Sequence, residues 1–142
     1  MGKAVISKRD SKERKRQNPE AAAEAVRALR TVKDQEAFYF YEAIGKPTGQ
    51  LARNLSDFLN YVQVVKSESL AFHLQRGDFQ NWVANTIGDS KLGKELAKIS
   101  PSDDDNARRN VCKTVEGRIE ELRELSLTIS IEDERTIVPV RV

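Results

Sequence analysis

SLAFHLQRGDFQNWVANTIGD, residues 69–89, decides how this chain folds. Leu70, His73 and Leu74 fall at helical spacing, as do Phe79, Trp82, Val83 and Ile87, so the stretch reads as two amphipathic helices. Gly77-Asp78 and Gly88-Asp89 punctuate them. Glycine takes the left-handed position that closes one helix, and the aspartate after it caps the next. Two Gly-Asp corners therefore predict a string of short helices.

The pattern extends in both directions. Ser67 opens the helix that ends at Gly77. Before it, Asn54-Leu55-Ser56-Asp57 resembles a capping box with Asp in the Glu place, and Leu55, Phe58, Leu59 and Val62 follow as its buried face. Asn18-Pro19 opens an earlier helix, whose face of Ala22, Ala25, Val26, Leu29 and Val32 extends to about residues 31–33. Glu36 to Ile44 supports two readings. Phe38 to Tyr41 is strand-like in propensity, yet Ala37, Phe40, Tyr41 and Ile44 fit a helical stripe; a helix is favoured, ended by Gly45 and Pro47. Downstream, Asp89 caps a helix with Leu92, Leu96 and Ile99 inward. Ser100-Pro101 breaks the chain. Residues 102–125 form the longest helix, striped by Ala107, Val111, Val115, Ile119 and Leu122, with Asp103 to Asp105 at its positive end.

The tail changes period. Leu127, Ile129 and Ile131 alternate with Thr128 and Ser130; Glu132 to Glu134 reads as a turn and Thr136 to Val142 as a returning strand, held to an edge by Pro139. The predicted fold is mostly α: a compact bundle of roughly five or six short helices and one long one, with a C-terminal β-hairpin and a flexible basic N-terminal arm. The expected divisions are the arm (1–18), a helical domain (19–125) and the hairpin (126–142), packed on that domain or on a partner.

Composition narrows the function classes. The chain has 142 residues, 24 Lys and Arg against 22 Asp and Glu, one His and one Cys. One cysteine excludes an internal disulfide framework and a thiolate zinc finger, and fits a reducing compartment. No apolar run approaches the ~20 residues that cross a bilayer, so a soluble, cytoplasmic protein with no membrane partner is expected. The near-neutral total conceals a partition. Residues 1–18 carry seven basic and two acidic side chains, a net of +5, while the other 124 carry 17 basic and 20 acidic, a net of −3. Lys8, Arg9, Lys12, Arg14, Lys15 and Arg16 form the kind of cluster that neutralises phosphates, so RNA, DNA or a ribonucleoprotein is the expected partner. The plain alternative is a solubilising tail.

Other candidate chemistry is weaker. Gly45-Lys46-Pro47-Thr48-Gly49 lacks the spacing of a phosphate loop, with Phe40 and Pro47 where Gly and Ser or Thr are needed. Around Asp103 to Asp105, Arg108 and Thr114 stand where a calcium loop needs Gly and Glu. Neither metal nor cofactor is expected. Cys112 lies near the apolar stripe of the long helix and reads as a small packed side chain. The richest cluster is His73, Arg76, Asp78 and Trp82, which can form an acid–base or anion site. Its structural alternative puts His73 and Trp82 in the core, Asp78 at a helix cap and Arg76 on a nearby carboxylate.

FYFYEAIGKPTG, NLSDFLNYVQVV and SLAFHLQRGDFQNWVANTIGD, followed by LGKELAKI, resemble a small, mostly archaeal family known only as a domain of unknown function. The resemblance covers about Phe38 to Ile99. It implies a compact helical domain and an archaeal source, and no activity. Three functions are therefore carried forward. The first is a non-enzymatic interaction module that contacts nucleic acid or a ribonucleoprotein through its arm. The second is a protein–protein adaptor or complex subunit whose C-terminal hairpin adds to a partner's sheet. The third is an enzyme built on His73, Arg76 and Asp78.

Overall fold

The computed structural model describes residues 19–101 and 104–141, with the side chains of the last helix described from 105 to 127. The basic arm lies outside the described residues. The described residues fall into two compact units, one of 19–27 with 120–141 and the other Ala28–Ile119.

The first unit holds most of α1 (Pro19–Ala28) and the end of the last helix, α6 (Asp104–Arg141). In α1, Ala22 and Ala25 are buried as their spacing predicts, but Val26 is half exposed and the helix stops at Ala28, short of residues 31–33. In α6, Leu122 is buried. The helix runs on to Arg141, so the predicted C-terminal hairpin is a correction. Alternation over five residues is a weak signal beside an established helix, because extending a helix fixes one residue per hydrogen bond while a hairpin must be nucleated afresh. The proposed turn, Glu132 to Glu134, also offers no Gly or Asn for a tight reversal.

The second unit contains the only hairpin among the described residues, at 38–52. Phe38–Ala43 forms β1, Lys46–Ala52 forms β2, and they pair antiparallel from Phe38↔Ala52 to Ala43↔Lys46. The helix favoured for Glu36 to Ile44 is thus corrected as well. Period two places Phe38 and Phe40 in the core and Tyr39 outside, whereas the helical stripe would have buried Ile44, which is 82% exposed. Gly45 accepts a φ of +74° and closes the two-residue Ile44-Gly45 turn.

Around the hairpin stand α2 (Leu55–Val64), α3 (Ser67–Arg76), α4 (Asp78–Asn81), α5 (Ser90–Ala97) and the start of α6. α4 continues directly into a π-helical turn, Trp82–Ile87. The Asn54 cap is as expected, accepting from the Asp57 N–H at 2.7 Å, whereas the return bond of the box shifts by one residue: the Asp57 carboxylate accepts from the Arg53 N–H at 3.3 Å rather than from that of Asn54. Phe38 is the hub of the core. Its ring lies 4.8 Å from Phe40, 5.7 Å from Phe58, 5.3 Å from Phe79 and 5.7 Å from Trp82, mostly edge to face.

Arginines fasten the helix ends. Arg30 donates to the carbonyls of Thr86 (2.8 Å) and Ile87 (2.9 Å), which the π-helical turn leaves open. Arg108 donates to the Val62 carbonyl at 2.7 Å near the end of α2. Arg118 forks onto Asp89, with Nε 2.8 Å from Oδ2 and Nη2 3.2 Å from Oδ1. Asp89 also caps α5 through the Leu92 N–H, as predicted. Among the described residues no helix is long and apolar enough to cross a membrane.

Two glycines in helices separate packing from propensity. A Cβ on Gly93 would lie 3.0 Å from Ala84 Cβ and 3.2 Å from the Gln80 carbonyl oxygen, whereas one on Gly117 would meet nothing within 4 Å. Gly93→Ala should therefore lower stability by about 1–3 kcal/mol. Gly117→Ala should raise it by about 0.5–1 kcal/mol. Urea unfolding of both variants checks the pair, and equal shifts would contradict this packing.

Candidate functional site

β1 and α3 enclose a cleft of 380 Å³, the residues of which all lie in the second unit. The alternation of β1 brings Tyr39 and Tyr41 to it, and helical spacing on α3 brings Phe72, His73 and Arg76. Gly77, at φ +73°, turns the chain so that Asp78 comes back over the end of α3, and Trp82 follows one turn later.

All four candidates from the sequence, His73, Arg76, Asp78 and Trp82, line this cleft. His73 is 3% exposed. Its Nε2 lies 2.9 Å from the backbone N of Tyr41, and its Nδ1 lies 2.9 Å from Asp78 Oδ2. An amide N–H can only donate, so Nε2 accepts, and Nδ1 carries the proton and donates it to the carboxylate. Burial pushes the imidazole below its ordinary value, outweighing the pull of the Asp78 carboxylate, and the Arg76 charge lowers it slightly further. The ring is neutral, and both its nitrogens are occupied.

The irregular ladder explains why an imidazole is needed there. Pairing slips on either side of Tyr41, so the strand cannot complete its own hydrogen bonds. Side chains complete them. Thr48 Oγ1 donates to the Phe40 carbonyl at 2.9 Å and accepts from the Gln50 N–H at 3.1 Å, while His73 takes the Tyr41 N–H.

Asp78 does not cap α4, which corrects the expectation for this corner. No side chain caps that helix; Asp78 Oδ2 instead receives His73 Nδ1 and, at 3.0 Å, Arg76 Nε. The guanidinium of Arg76 lies 5.0 Å over the Phe72 ring. Arg76 therefore pairs with a nearby carboxylate, as the structural alternative expects. Trp82 is buried and donates its indole N–H to the Glu36 carbonyl at 2.8 Å, fastening the 3₁₀ turn Asp34–Glu36 beside β1.

The sequence reading missed the aromatic wall from β1. Its signal was present in the alternation of Phe38, Tyr39, Phe40 and Tyr41, which the competing helical stripe masked. The phosphate-loop candidate resolves as the Gly45 turn and strand β2. Cys112 is half-buried, and burial pushes its thiol up, away from the thiolate that a nucleophile needs. Among the described residues no three His, Cys, Asp or Glu side chains converge as a metal site. Lys8, Arg9, Lys12, Arg14, Lys15 and Arg16 lie outside the described residues. Comparison of the chain with protein-family models, curated proteins and solved structures gives no match.

His73 is the single histidine, so its titration is readable in stability. Below the ordinary imidazole value of 6.5 the unfolded chain takes up a proton that the folded chain resists. The stability this confers is complete above pH 6.5 and is lost as pH falls through the lower folded value. His73→Gln should cost about 1–3 kcal/mol at neutral pH. It should also flatten the decline just below pH 6.5. Unfolding free energies measured across that range check both; a variant that keeps the wild-type slope would remove His73 as its origin.

Proposed function

We propose that this chain is a non-enzymatic interaction module that holds nucleic acid or a ribonucleoprotein through its basic N-terminal segment, in a cytoplasmic setting. The observation that carries the reading is the charge partition: residues 1–18 hold a net +5 on a chain whose remainder is −3. Such a cluster attracts phosphates whatever the base sequence, with affinity driven by counterion release.

The geometry of the cleft favours this over the enzyme reading. A general base needs a free lone pair within reach of a substrate, and His73 Nε2 is already taken by a backbone N–H. Asp78 is drawn to His73 and Arg76, and its carboxylate serves to orient them. The raised Cys112 thiol supplies no nucleophile. The adaptor reading loses its particular device, because the segment assigned to the C-terminal hairpin is helical through Arg141.

Six clustered basic side chains, Lys8, Arg9, Lys12, Arg14, Lys15 and Arg16, set the scale of the salt dependence. With single-stranded RNA, log Kobs should fall against log salt with a slope approaching about −4. Deleting residues 2–17 should remove most of that slope and at least tenfold of the affinity at low salt, with thermal unfolding nearly unchanged. Fluorescence anisotropy with a labelled oligonucleotide measures it. Retention of both affinity and slope in the deletion variant would refute the proposal.

A further inference from the structure

We propose that the cleft between β1 and α3 receives one unpaired nucleobase, held by its pairing edge against Asp78 and Arg76 and by its face against the aromatic walls. This rests on the nucleic-acid reading above and adds a second contact to it, one that reads a base rather than a phosphate.

Unused hydrogen-bonding capacity is the first argument. Asp78 gives Oδ2 to both His73 and Arg76, and its Oδ1 takes no bond from the described residues. Arg76 gives only Nε to the carboxylate, and its Nη1 and Nη2 meet no acceptor among the described residues. Both side chains reach solvent, with Arg76 51% and Asp78 26% exposed. An acceptor and a donor thus stand next to one another at the cleft. The pairing edge of every common base presents the complement, a ring or exocyclic N–H beside a carbonyl or ring-nitrogen acceptor. In a duplex that edge is engaged, so the site selects single strands.

The walls give the second argument. Tyr39, Tyr41 and Phe72 line the same cleft as Arg76 and Asp78, and aromatic faces hold bases of any sequence by stacking. A volume of 380 Å³ is at the small end of ligand pockets, suited to one planar group rather than an extended chain. Charge is the third. The Asp78 carboxylate offsets the Arg76 cation and His73 is neutral, so the cleft asks for a neutral polar ring, and phosphates are left to the basic segment. A peptide strand fits less well. Adding a strand requires free backbone donors, and the Tyr41 N–H at this edge already belongs to His73.

Uncharged nucleosides separate this contact from the phosphate contact. Guanosine, adenosine, cytidine and uridine are titrated into the ¹⁵N-labelled full chain, with amide shifts followed. The expected result is saturable shifts of residues 39–45 and 72–82, with 3-methyluridine, which lacks the pairing N–H, about tenfold weaker than uridine. Arg76→Ala should weaken uridine about tenfold as well. Phe72→Leu, which keeps the apolar packing, should weaken all four nucleosides; thermal unfolding confirms that each variant is folded. No shift with any nucleoside, shifts confined elsewhere, or equal binding of uridine and 3-methyluridine would each overturn the inference. A peptide that produces these shifts where nucleosides do not would overturn it too. Because nucleosides carry no phosphate, failure here leaves the salt-dependent binding of the basic segment standing, and the deletion of residues 2–17 tests that binding separately.

Discussion

One buried, neutral imidazole joins three parts of the second unit. His73 is carried by α3, accepts the backbone N–H of β1 at Tyr41, and donates to the first residue of α4 at Asp78. Without the ring the Tyr41 N–H would lose its partner, and Asp78 would keep only Arg76 and solvent. An unmatched backbone N–H in a slipped ladder and a half-buried carboxylate both carry desolvation costs of a few kcal/mol, and a single ring offsets both. Only histidine presents an acceptor and a donor on opposite sides of a rigid plane, at a separation that spans from strand to helix. That requirement fixes the protonation state. Burial lowers the basicity of His73, and the join agrees with it, since a charged ring would turn Nε2 into a donor facing another donor.

The ring is also a member of the aromatic core. It lies 4.8 Å from Phe38 and 5.5 Å from Phe79, which hold it between strand and helix. Apolar packing sets where the ring sits, and the two hydrogen bonds set how it is turned. The same division of labour governs the helix ends. Arg30, Arg108 and Arg118 each bring a guanidinium to a carbonyl or carboxylate that its helix cannot satisfy. Part of the high charge density of this sequence is therefore internal wiring rather than solvated surface, which is why net charge says little about the body.

How much of this could be read from the residues depended on the range of the interaction involved. The short helices, the Asn54 cap, the left-handed Gly77 and Gly88 and the Asp89 cap all follow from neighbours within four or five positions, and all were legible. The two strand errors share an ambiguous period in the sequence, settled in each case by something outside the segment. At 38–43, Phe40 and Tyr41 fit both periods, and the contacts of Phe38 with Phe58, Phe79 and Trp82, far away in sequence, decide for the strand. At 127–131 the alternation was real, but a helix already propagating from Asp104 outweighs it. Of the site, the members His73, Arg76, Asp78 and Trp82 were legible because they cluster in sequence. The Tyr41 partner was not, since it lies 32 residues away.

The two Gly-Asp corners show why a local rule stops short of a role. Both have glycine in the left-handed conformation, and in both the chain turns from one helix into another. At Gly88-Asp89 the carboxylate is buried, caps α5 and is matched by the fork of Arg118, so it is consumed by structure. At Gly77-Asp78 no helix end claims the carboxylate. A histidine and an arginine draw it to one side, and both meet the same oxygen, leaving the other without a bond from the described residues on a side chain that lines an aromatic cleft. The buried counterpart, 11 residues later, has both oxygens matched by protein donors, whereas Asp78 keeps one oxygen for solvent or a ligand. The difference between two identical dipeptides is therefore the strongest structural reason to look for a ligand at the first.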